Sequence, residues 1–65
     1  MAKKVFEVIE LLEANGWVYQ RTKGDHRKYK KEGRKRTVIV SGARNSTMPV
    51  GTLAAILRET GLDFK

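Results

Sequence analysis

The residue best suited to carry out chemistry is His26, the only histidine among the 65 residues. Lys23, Gly24, Lys28 and Lys30 lie close to it in the sequence. An imidazole can take or release a proton near neutral pH, and ammonium groups can hold a phosphate. Gly24 has no Cβ, so the backbone there lets a phosphate come close. This spacing favours proton transfer beside a bound phosphate, whereas the alternative is an ordinary surface histidine.

Positive charge is concentrated around this histidine. The chain has a net charge of +7, and residues 21–44 alone contribute +8, because ten Lys and Arg there face only two Asp and Glu. Such a concentration is typical of proteins that bind phosphates, although a solvated face would explain it without a partner. The run Lys30, Lys31, Arg34, Lys35 and Arg36 has a further explanation, since charge also protects sheet edges from aggregation.

The composition also narrows the cofactors and the compartment that we expect. The chain has no Cys and one His, which removes disulfides, thiolate metal sites and a zinc cluster, so we expect no metal and no cofactor. The start of the chain has no secretory pattern, and no segment approaches the ~20 apolar residues of a membrane span. We therefore expect one domain over residues 1–65, located in the cytoplasm and without a membrane partner.

Apolar spacing predicts a helix near each end of the chain. The first runs from Lys3 to Ala14 and ends at Asn15-Gly16. The second begins at Pro49, which suits the first turn of a helix, and ends at Gly61. Their apolar stripes contain Val5, Val8, Ile9 and Leu12 in the first, and Val50, Leu53, Ile56, Leu57 and Thr60 in the second.

Between the helices the pattern predicts a three-stranded antiparallel meander. Its strands are residues 17–21, 26–31 and 36–40, with a turn over residues 22–25 and a tight hairpin at Glu32-Gly33. Residues 41–48 are expected to form a long, flexible polar loop. Trp17, directly after the first helix, is expected to cover a small core.

Alternation along the strands predicts which side chains meet the helices. Val38 and Val40 should face the core, and so should Tyr29, which turns His26 to the exposed, basic face. The order α-β-β-β-α then gives an α+β two-layer sandwich, with both helices on one face of the sheet. This is the arrangement of double-stranded-RNA-binding domains. Fold and charge therefore indicate the same partner, RNA.

Several stretches together resemble the HicA family of toxins over essentially the whole chain. They are Asn15-Gly16-Trp17, Lys23-Gly24-Asp25-His26-Arg27-Lys28-Tyr29, Val38-Ile39-Val40, and the segment from Pro49 to Leu57. The resemblance implies a type II toxin that cleaves mRNA and is restrained by a HicB-type antitoxin. It also implies that His26 is the essential catalytic residue. The family commonly has Ser before this histidine, whereas here Asp25 stands there, either to hold the imidazolium or to cap the turn.

The residues suit a metal-independent cleavage of RNA. RNA supplies its own nucleophile, so cleavage needs a base for the 2′-hydroxyl proton and cations for the phosphate. We expect His26 in the first role and Lys23, Gly24, Lys28 and Lys30 as the RNA-binding residues. Two alternatives remain, a non-catalytic double-stranded-RNA-binding module and a basic protein that docks an acidic partner.

Overall fold

The computed structural model describes residues 2–64 and has the predicted order of elements. The elements are α1 at Val5–Ala14, β1 at Val18–Lys23, β2 at His26–Lys30, β3 at Val38–Ser41 and α2 at Val50–Thr60. The three strands form one antiparallel sheet in the order β1-β2-β3, so β1 and β3 are its edges.

Both helices pack on the same face of this sheet, which confirms the predicted two-layer α+β sandwich. The prediction of Val50 as a core residue in the apolar stripe of α2 is wrong, because it is 65% exposed. One cluster of buried residues combines most of the remaining helical stripes with the inner face of the sheet, and it consists of Val5, Val8, Ile9, Leu12, Trp17, Tyr29, Val38, Val40, Met48, Leu53 and Ile56. Ile39, between the two buried valines of β3, is exposed. The predicted alternation of β2 and β3 is therefore confirmed at Tyr29, Val38, Ile39 and Val40.

α1 ends as its sequence predicts, at a left-handed glycine. Gly16 has a φ of +90°. Its N–H donates to the carbonyl of Glu13, and the N–H of Trp17 donates to that of Leu12, at 3.3 and 3.0 Å. This pair of bonds satisfies carbonyls that the helix itself leaves free. Trp17 is thereby folded back onto the core, where it is 3% exposed, and β1 begins one residue later than predicted.

The loop of residues 42–48 is held in place at the start of α1. The N–H groups of Val5 and Phe6 donate to the carbonyls of Ser46 and Arg44, at 2.9 and 3.0 Å. These are donors that the first turn of a helix cannot satisfy internally. Met48 closes the loop, because its side chain is buried and its N–H donates to the carbonyl of Lys3 at 2.8 Å. The predicted loop is therefore present, and backbone hydrogen bonds connect it to the start of α1.

The connection between β2 and β3 is longer than the predicted tight hairpin. A turn does form at Glu32-Gly33, where Gly33 has a φ of +84°, but the strands stop at Lys30 and resume only at Val38. Arg34 fixes the extra residues, since its Nη2 donates to the carbonyl of Thr60 at 2.8 Å. The turn at Glu32-Gly33 is therefore confirmed, but the predicted strands 26–31 and 36–40 are too long at this end, and the connection covers residues 31–37.

Loss of one core side chain should unfold the domain. Leu12 is fully buried, and Leu→Ala at such sites costs about 2–5 kcal/mol, which is close to the ~3–5 kcal/mol that a domain of this size commands. We expect Leu12→Ala to lose its cooperative thermal transition by circular dichroism. Val50→Ala, at a side chain 65% exposed, is the control and should keep the transition. A folded Leu12→Ala protein would contradict this account of the core.

Burial of Tyr29 should make stability fall at alkaline pH. Burial, and then the nearby carboxylate of Glu13, raises the pKa of Tyr29 above its usual 10.0. The folded state thus favours the neutral phenol, and this stability is complete below about pH 10 and lost as pH rises through the raised pKa. Thermal unfolding midpoints followed from about pH 9 to about pH 12 should fall less in Tyr29→Phe than in the control Tyr19→Phe. Equal falls would contradict the prediction.

Candidate active site

His26 stands at the first position of β2, directly after a two-residue turn. Lys23 and His26 form the last pair of the β1-β2 ladder, so only Gly24 and Asp25 connect the strands. Gly24 has a φ of +62°, a conformation that two-residue hairpin turns require and that side chains disfavour. The side chain of His26 is 60% exposed and accessible to a ligand.

Two hydrogen bonds tie this turn to the chain beyond β3. The N–H of Gly42 donates to the carbonyl of Asp25 at 3.2 Å. In return, Nη1 of Arg27 donates to the carbonyl of Gly42 at 2.7 Å. The residues on either side of His26 are therefore both held by the same glycine, which fixes the backbone from which the imidazole projects.

His26 opens onto a groove on the outer face of the sheet. The groove has a volume of about 280 Å³, and its walls are Arg21, Lys23, His26, Lys28, Thr37 and Ile39. Lys23 is paired with His26, and Arg21 with Lys28, so their Cβ atoms are neighbours across the strands. All the charged residues of this lining are cationic. Such a surface attracts a polyanion and presents an imidazole to it.

Arg21 is a groove residue that sequence reasoning missed. The ladder steps from Tyr19 paired with Tyr29 to Arg21 paired with Lys28, which leaves Gln20 as an extra residue in a β-bulge. Without the bulge, Tyr19 and Arg21 would point to the same face. A signal was present in the sequence, since a strand extended to Lys23 places Arg21 on the face of Lys23 by alternation.

The other sequence-predicted residues are only partly brought together. Lys23 and Lys28 line the groove with His26, and Gly24 lies in the adjoining turn. Lys30 is exposed, but it is paired with Val18 at the far end of β2 and does not line the groove.

The carboxylate of Asp25 is close enough to interact with the imidazole. Its Oδ1 lies 3.4 Å from Nε2 of His26, and the side chain of Asp25 is 67% exposed. A contact this open to water contributes little to stability. It places a negative charge where it can hold one ring nitrogen, while the other remains for a substrate.

Among residues 2–64, no three His, Cys, Asp or Glu side chains are grouped so as to hold a metal ion. Over the same residues, neither helix has the length and apolar character needed to cross a lipid bilayer.

Comparison with known proteins gives a family for this fold and groove. The family model of the HicA toxin of bacterial toxin-antitoxin systems matches residues 6–62, from within α1 to just beyond α2. No curated protein matches the chain. The matched range contains all the stretches on which the sequence resemblance rests. Members of this family are generally ribonuclease toxins that have a HicB antitoxin as partner. The chain therefore belongs to the HicA toxin family and is a toxin of a toxin-antitoxin system.

Proposed function

We propose that this toxin is a metal-independent endoribonuclease that cleaves mRNA in the cytoplasm, with His26 as its catalytic residue. The observation that carries the proposal is the position of this imidazole, which is exposed in a groove whose charged side chains are all cationic. A ribose and its phosphate can reach the ring, because neither helix covers that face. The domain that acts in this way is residues 1–65 as a unit.

The reaction follows from the chemistry of the ribose. His26 takes the proton of the 2′-hydroxyl, and the 2′-oxygen forms a bond to the adjacent phosphorus. The bond from phosphorus to the 5′-oxygen breaks, and that oxygen takes a proton from the imidazolium or from water. The products are a 2′,3′-cyclic phosphate and a 5′-hydroxyl.

The cations of the groove hold the phosphate on which charge develops. Lys23 and Lys28 are the immediate neighbours of His26 on β1 and β2, and Arg21 adds a planar guanidinium that can grip two phosphate oxygens. Gly24 leaves the approach beside the turn unobstructed, because nothing lies within 4 Å of the position that a Cβ would occupy. Lys30, outside the groove, contacts RNA farther along β2.

The same groove suggests how a HicB-type antitoxin restrains the toxin. An antitoxin that presents acidic side chains to Arg21, Lys23 and Lys28 would cover His26 and exclude RNA. Binding would also stabilise the domain, since a ligand of the folded state adds to its stability and the small core alone provides only a low free energy of unfolding.

Removal of the imidazole should abolish cleavage without unfolding the protein. His26→Ala should lower the rate of transcript cleavage by about 10²–10⁴-fold, the usual contribution of general acid-base catalysis. The assay is gel analysis of a labelled transcript in EDTA, with the 5′-hydroxyl product end identified by its acceptance of phosphate from a kinase. Circular dichroism and the control Tyr19→Phe establish that folding and activity survive a substitution outside the groove.

Four results would contradict the proposal. Undiminished cleavage by His26→Ala would remove the assigned catalyst, and cleavage only with added divalent metal would contradict the metal-independent route. Retention of RNA by the wild-type chain without cleavage would favour a double-stranded-RNA-binding module, and neither binding nor cleavage would favour a docking protein.

Removal of a groove cation should lower the rate of RNA cleavage more than removal of an exposed cation outside the groove. Arg21→Gln and Lys28→Gln should each lower kcat/KM by about ten- to a hundredfold, because a hydrogen bond to a charged group contributes ~1.5–3 kcal/mol. Lys30→Gln removes the same charge from the same strand and should lower kcat/KM by less than about threefold, because an exposed side chain outside the groove makes only a weak, screened contact with RNA. A loss in Lys30→Gln equal to that in Lys28→Gln would show that net charge, not the groove, determines activity.

A further inference from the structure

A second group of cations lies beyond the end of the groove. Thr37 forms that end, and Arg34, Lys35 and Arg36 precede it in the chain; we call these three residues the basic shelf. They border a separate cavity at the edge of the sheet, whose other walls are Trp17, Val38 and Glu59. The proposed cleavage reaction uses none of them.

The basic shelf is anchored, although it lies in a connection outside the strands. Arg34 donates to the carbonyl of Thr60 at 2.8 Å and lies 5.9 Å from the centre of the Trp17 ring. The positive charge of Arg34, beside the carbonyl of Thr60, also offsets the partial negative charge at the end of α2. Lys35 and Arg36, next in the chain, therefore project from a segment with a defined position.

These two cations are available to a ligand. Lys35 is exposed, and the side chain of Arg36 is 86% exposed. Arg36 has one acidic neighbour, Glu59, at 3.9 Å in a solvent-exposed pair. An ion pair of this kind is weak and can be exchanged for a phosphate.

The distance from His26 to the basic shelf suits a continuous nucleic-acid strand. His26 is paired with Ser41, and Thr37 lies four residues before Ser41, directly before β3 begins, so a rise of ~3.3 Å per residue separates the two ends of the groove by roughly 13 Å. A stacked single strand rises about 3.4 Å per nucleotide, which makes this roughly four nucleotides. Ile39, exposed between these ends, offers an apolar surface to a base.

We infer, building on the proposed ribonuclease function, that the basic shelf is a second phosphate-binding site that holds the same single strand of RNA roughly four nucleotides from the cleaved bond. The observations favour RNA over a protein partner at this site. A protein interface centres on an apolar or aromatic anchor, but Trp17 and Val38 are already buried in this domain. Exposed cations beyond the end of a groove lined by other cations match phosphates instead.

The test is the dependence of RNA affinity on length. The wild-type chain and the double variant Lys35→Gln/Arg36→Gln are titrated with fluorescent 2′-O-methyl oligonucleotides of four and eight nucleotides, which cannot be cleaved because the 2′-oxygen is blocked. Wild type should bind the octamer more tightly than the tetramer. The double variant should bind the octamer about tenfold less tightly than wild type and the tetramer equally well, and its salt dependence for the octamer should be shallower by about 1.4.

A matched control removes two positive charges elsewhere. Lys3→Gln/Arg44→Gln neutralises side chains near the start of α1, away from both cavities, and should leave octamer binding nearly unchanged. Equal loss in the two double variants, or equal loss for tetramer and octamer, would overturn the second site, as would failure of wild type to bind either length. Length-dependent binding by a chain that cleaves no transcript would support the basic shelf while the proposed ribonuclease function failed.

Discussion

Burial of the Tyr29 ring determines the direction of the side chains around it. Neighbouring residues of a strand point to opposite faces, so a ring packed against the core turns Lys28 outward, and His26 with it. The inner face packs against the two helices. Reactive and cationic groups therefore share the outer face, which neither helix covers.

This arrangement brings like charges together. Arg21 and Lys28 are directly paired, and Lys23 is adjacent, with no acidic residue among the groove walls. The resulting repulsion is modest because water screens exposed charges, but it acts on a domain with little stability to spare. A polyanion removes the repulsion when it binds. The features that favour RNA binding thus make the free protein less stable than the bound one. Binding of an acidic antitoxin would relieve the same repulsion.

Local patterns in the sequence were sufficient to predict the order of helices and strands and the face of the sheet on which the histidine lies. Helical spacing predicted both helices, Gly16 and Gly61 marked their ends, and strand alternation placed Tyr29 inward. The errors arose from contacts between distant residues. Arg34 reaches the end of α2, which lengthens the β2-β3 connection, and no local pattern predicts this. The bulge at Gln20 also depends on a contact between separate segments, because its position is set by which residues of β2 pair with those of β1. The catalytic and RNA-binding roles remain predictions.

The segment least visible in the sequence links the core to the reactive face. Residues 42–48 accept the first N–H groups of α1 and bury Met48, so their position is set by the core. At its start, Gly42 holds both Asp25 and Arg27, the two neighbours of His26. Packing on one side of the sheet is thereby transmitted to the imidazole on the other through a backbone contact. A displacement of Met48 would therefore shift Gly42 and the turn that carries His26, so the position of this exposed residue depends mainly on backbone hydrogen bonds.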